Sequence, residues 1–164
     1  MSDELRTRLR ANAQRRRAEQ GLPKRREIAT ALAYAVGYRV PTTDFLSVQA
    51  SDSLMEAVAA RVKGMAPYAT WLDLSPLVFG GLAAWADATE GVSAYLSLGD
   101  SEFAGMPLVP VAPLLRNLNR LWNPPTSDLD LVLATSEAED GFWLSWDDGI
   151  IDLWAWERLR PVAS

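Results

Sequence analysis

Asp148-Gly149 lies between two runs of alternating residues, and this arrangement restricts the C-terminal part of the chain to a hairpin. Phe142 to Trp146 reads as one strand and Ile150 to Trp156 as the next. Counting outward from a two-residue turn, Trp146 faces Ile151, Leu144 faces Leu153 and Phe142 faces Ala155, an entirely apolar side. The other side pairs Asp147 with Ile150, Ser145 with Asp152 and Trp143 with Trp154, and Trp156 lies beside them. Upstream, Leu129, Leu131 and Leu133 alternate with Asp130, Val132 and Ala134, and Glu137 to Gly141 supplies a polar turn. The stretch from Asp128 to Leu159 is therefore expected to be a three-stranded antiparallel meander. It holds four of the seven tryptophans, so its outer face is the first place to look for binding.

Composition narrows the chemistry. The 164 residues suit one domain with a substantial core. There is no cysteine, hence no disulfide and no thiolate, and no histidine, the usual base near neutral pH and the commonest metal ligand. Ser-His-Asp, Cys-His and His-metal sites are excluded. No apolar run reaches the length of a membrane span, and Met1 to Arg17 lacks the apolar stretch of a secretory signal. The expectation is a cytoplasmic location with no membrane contact and no cofactor.

Charge is distributed unevenly. Met1 to Val40 carries ten Lys/Arg against four Asp/Glu, a balance of +6, whereas Ala83 to Ser164 carries four against thirteen, a balance of −9. The net −5 thus combines a basic arm with an acidic body. Ser2 to Gln20 reads as a polar helix closed by Gly21 and Pro23, with Leu5, Leu9 and Ala13 as its thin apolar seam. A second helix follows from Pro23, with Ile28, Ala31, Leu32, Ala35 and Val36 on one face, and ends at Gly37. Val40 to Ala50 is expected to be a linker, which divides the chain into a helical arm over 1–45 and an α+β domain over 46–164.

In that domain Ser53-Leu54-Met55-Glu56 matches a capping box, with Leu54, Val58 and Val62 as the stripe behind it. Thr70 to Leu72 is expected to form a short strand. Ser75 and Pro76 open a helix running to Gly91, and its Gly80-Gly81 calls for a break or a packing reason. Val92 to Leu98 alternates as a strand, Gly99 to Ala112 is expected to be irregular, and Pro113 opens a short helix that Pro124-Pro125 ends. The order of elements predicts an α+β fold: N-terminal helices, then a mainly antiparallel sheet backed by helices.

Three features are candidates for function. Ser127-Asp128-Leu129-Asp130-Leu131-Val132 resembles the strand motif of nucleotidyltransferase-like proteins, in which two alternate carboxylates hold a divalent ion. The resemblance implies metal-dependent transfer through Asp128 and Asp130. The Gly-Ser that the family places about ten residues upstream is missing between Asn117 and Thr126. A second acidic group, Asp147, Asp148, Asp152 and Glu157, includes turn residues, although paired carboxylates among aromatics also serve glycoside hydrolysis. The third feature is the face bearing Trp143, Trp154 and Trp156. Such a face is either covered by a helix, or stacks a ligand, or binds a protein, since tryptophan ringed by carboxylates is hot-spot composition.

Neutral-pH proton-transfer residues are scarce, so a non-enzymatic binding protein is expected first. Its partner-binding set is Trp143, Asp147, Asp152, Trp154, Trp156 and Glu157, facing a basic protein. Small, acidic, cysteine-free proteins of this build are similar in type to bacterial immunity proteins, antitoxins that cover the active site of basic toxin nucleases. The alternative is a nucleic-acid-associated regulator using the Arg-rich helices. The arm can also dock on the acidic body of its own chain, or of a second copy in a homodimer.

Overall fold

The computed structural model describes residues 3–71, 76–99, 101–121, 130–147 and 149–159. It is an α+β fold with a six-stranded antiparallel sheet: β1 (Ala69–Trp71), β2 (Ser93–Ser97), β3 (Leu108–Pro110), β4 (Leu131–Ala134), β5 (Gly141–Asp147) and β6 (Ile150–Trp156). The spatial order is β1-β6-β5-β4-β2-β3, so the meander β4-β5-β6 forms the centre and two three-residue strands form the edges. The expected register of the hairpin is present pair for pair, from Asp147 opposite Ile150 to Phe142 opposite Ala155. Gly149 takes the positive φ, +85°, that such a tight turn demands.

Helices cover both faces. On one face, Leu96, Leu131, Leu133, Phe142, Leu144, Ile151 and Leu153 pack against side chains from α1 (Asp3–Val36), α3 (Pro76–Trp85), α5 (Val111–Arg116) and α6 (Leu118–Leu121). Trp85 and Phe142 meet there at 5.6 Å between ring centroids. On the other face, α2 (Val48–Val62) lays Leu54 and Val58 over Val132, Ala134 and Trp156. A sheet buried on both sides requires apolar residues at successive positions. β4 meets that requirement, with all four residues buried.

Several local expectations give way to tertiary contacts. Gly21 and Pro23 do not stop the first helix, which runs unbroken from Asp3 to Val36. A proline inside a helix costs about 3 kcal/mol, and contacts on both sides of it hold the helix together. Arg17 reaches Asp52 at 3.5 Å. Arg25 donates to the carbonyls of Ala104 (2.7 Å) and Leu46 (3.3 Å), and its guanidinium lies 5.5 Å from the Phe45 ring centroid. Gly21 sits where the helix crosses α4 (Ser101–Ala104), and a side chain there would crowd the Phe103 carbonyl.

The stretch 40–50 is packed rather than a linker. Val40 and Phe45 are buried in the same cluster as Ile28 and Leu32, so a boundary at residue 45 passes through the core. Leu46 N–H donates to the Met106 carbonyl (2.9 Å), which holds the chain extended until Ser47. There α2 begins, capped by Ser47 Oγ accepting from Ala50 N–H (3.1 Å), and Ser53 lies inside the helix rather than at its cap.

The described residues from 101 to 112 carry regular elements rather than irregular chain. Leu98 N–H donates to Ser101 Oγ at the start of α4, Met106 N–H donates to the buried Ser51 Oγ, and β3 pairs with β2. Gly80 and Gly81 interrupt nothing in α3. A Cβ at either would meet open space, so no packing contact accounts for them. The helix expected to reach Gly91 becomes a 3-10 turn at Ala86–Thr89. Ser75, Trp122, Pro124-Pro125, Asp128, Leu129 and Asp148 lie outside the described residues.

Candidate functional site

The outer sheet face is built by alternation. Side chains at Trp143, Ser145 and Asp147 of β5, and at Ile150, Asp152, Trp154 and Trp156 of β6, all point away from the main core. Thr70 of β1 and Val132 of β4 extend the face to either side. Trp143 and Trp154 are directly opposed, with ring centroids 6.0 Å apart and planes tilted by 52°.

Helix α2 covers one end of this face. Trp156 is 3% exposed, its Nε1 donates to the Ala138 carbonyl (3.0 Å), and it packs with Leu54, Val58 and Val132. It therefore belongs to the core and not to the contact set expected from the sequence. The reason is topological, because the face was not destined for solvent at the α2 end. A Cβ on Gly141, the cross-strand partner of Trp156, would overlap the indole. Trp143 is half-buried against the same cluster, and its Nε1 is enclosed with no acceptor.

The opposite end of the face is open. Trp154 is partly exposed and donates through Nε1 to the Met65 carbonyl (3.2 Å). Asp152 is partly exposed and accepts from Thr70 Oγ1 at 2.5 Å. Asp147 and Ile150 are exposed. Glu157, exposed, turns away at φ +51° and pairs with Arg61 of α2 at 3.0 Å. The structure thus groups Trp143, Trp154, Asp152 and Asp147, sets Glu157 to one side, and removes Trp156.

Two acidic features were not legible in sequence. Asp140, in the turn read only as polar, is buried. It accepts from the Arg158 main-chain N–H (3.0 Å) and from the Arg158 guanidinium (2.6 Å from Nη2), tying the β4–β5 turn to the end of β6. The Arg158 hydrogen bond holds this carboxyl below the ordinary range, against the opposing effect of burial. The second feature is a cleft of about 440 Å³ between α2, α4 and the ends of β2 and β4. Asp52, Glu102 and Asp130 line it beside Met55, Leu98 and Ser97. Residues 52, 102 and 130 are far apart in the chain, and only the fold brings them together.

Asp130, one of the two carboxylates of the nucleotidyltransferase-like motif, is exposed at that cleft, and Asp128 is outside the described residues. Among the described residues no group of three acidic side chains closes on a point that could hold a metal ion. None of their helices is long and apolar enough to cross a membrane. No protein-family model, curated protein or solved structure matches this chain.

Proposed function

We propose that the chain is a non-enzymatic binding protein that docks a basic protein on the open end of its outer sheet face. The reading goes as far as an immunity-type role, in which the partner is a basic toxin domain, such as a nuclease, that this chain neutralises in the cytoplasm. One observation carries it. Helix α2 covers the Trp156 end of the face, while the Trp154, Asp152 and Asp147 end stays open, on a rigid two-sided sheet. A partly exposed tryptophan beside desolvatable carboxylates is the composition of an anchor, and rigidity lowers the ordering cost of binding. The acidic half-chain charge adds long-range attraction for a cationic partner.

The test uses the full chain and two surface variants, Trp154→Ala and Asp152→Lys. Tagged wild type should retain a basic protein that both variants lose. Co-expression of that protein with wild type should rescue growth where co-expression with the variants does not. Equal retention by all three chains would remove the face from consideration.

A nucleic-acid role for the arm is the second reading, favoured by the exposure of Arg6, Arg8, Arg10, Arg15 and Arg16 on a formed helix.

A further inference from the structure

The N-terminal half of α1 is a formed helix whose side chains lie on the surface. Residues 4–13 are exposed throughout, including Leu5 at 47% and Leu9 at 53%. From Asp3 to Arg17 the segment carries six arginines against two acids. Arg17 is where this basic helix meets its own body, pairing with Asp52 at 3.5 Å on the acidic cleft. The residues before it extend roughly 20 Å further along the helix, at about 1.5 Å per residue. Arg6 and Arg10 are both exposed, so neither is packed into the cleft of its own chain.

We propose that this basic half-helix docks in the acidic cleft of a second copy of the chain, and that the second copy reciprocates. The cleft matches the helix in two respects. Glu102 and Asp130, both exposed, line it beside the Asp52 that Arg17 of the same chain already pairs with, and these carboxylates do not close on a single point, which suits guanidinium groups spaced one turn apart rather than one small cation. Met55 and Leu98 line it as well, apolar partners for Leu5 and Leu9 at the i, i+4 spacing. Pairing the two arms with each other would instead set like charges together. Reciprocal exchange closes a two-fold dimer, because each chain presents both the arm and the cleft. The inference rests on the arm and the cleft, and stands whether or not the sheet face takes a partner.

Sedimentation of the full chain at low and high salt tests it by charge swap. Wild type should be a dimer at low salt that dissociates as salt rises. Arg6→Glu with Arg10→Glu should weaken self-association at least about tenfold, as should Glu102→Lys with Asp130→Lys. An equimolar mixture of the two variants should associate as tightly as wild type, since each reversed arm then meets a reversed cleft. All four positions are exposed, so thermal melts should match wild type. If a reversal does unfold the chain, Arg6→Gln with Arg10→Gln replaces it. A monomeric wild type at low salt, or a mixture that fails to recover, overturns the proposal. A monomer that binds duplex DNA through the same arginines assigns the arm to nucleic acid instead.

Discussion

Trp156 and Gly141 are partners across the β5–β6 ladder, and the indole of the first fills the space that a side chain on the second would need. Trp156 is the largest buried residue of the cluster that Leu54 and Val58 of α2 complete. Gly141→Ala should therefore destabilise the fold by about 1–3 kcal/mol through overpacking. Trp156→Ala should cost about 3–5 kcal/mol by leaving a cavity under the helix. Trp154→Ala should cost less than half as much as Trp156→Ala. Urea melts on the three variants check the order, and equal losses at the two tryptophans would mean that Trp154 is as much a core residue as Trp156.

Trp143 gives the opposite expectation. Its enclosed Nε1–H has no acceptor, and an orphaned buried donor costs about 1–3 kcal/mol. Trp143→Phe removes that donor and keeps an aromatic ring opposite Trp154. The variant should be within about 1 kcal/mol of wild type, and a loss like that at Trp156 would show that the indole nitrogen has a partner.

The pH dependence of stability should carry the signature of Asp140. Arg158 lowers its folded-state pKa, so the folded protein binds the proton less readily than the unfolded chain. The stabilisation is complete above the unfolded carboxyl value of about 3.9 and is lost as pH falls through the lower folded value. Asp140→Asn should be less stable by about 1–3 kcal/mol near neutral pH and should converge with wild type in acid. Curves that stay parallel down to acid pH would mean that another group sets the dependence.

How much of this was legible in the sequence depends on how local each determinant is. The β5–β6 register could be counted because a two-residue turn fixes it and alternation confirms it, all within residues 142–156. The course of α1 could not, because Gly21 and Pro23 are adjacent signals, whereas the contacts that override them, Arg17 to Asp52 and Arg25 to Ala104, span 35 and 79 positions. The candidate face fell between these cases. Its membership followed from alternation, but its exposure depended on where α2 packs. Val132 and Ala134, apolar where a half-solvated strand would be polar, were the available sign that a helix lies over that end.

The unbroken helix itself supports a further expectation. If Pro23 is carried by its flanking anchors, replacing it with alanine should restore a backbone hydrogen bond and stabilise the protein by about 1–3 kcal/mol. Amide exchange should slow around residue 23 in Pro23→Ala. A neutral or destabilising result would mean that the ring makes contacts worth the bond it removes.

The two ends of the sheet also limit how anything can join it. β1 and β3 are three residues each, and β3 runs from just after Pro107 to Pro110, neither of which has an N–H to offer. Margins this short, one of them closed by prolines, give an incoming extended peptide almost no ladder to continue. Growth by strand addition, whether by a ligand or by runaway assembly into fibrils, is therefore disfavoured. A partner docking on the sheet would meet its side chains rather than an open edge.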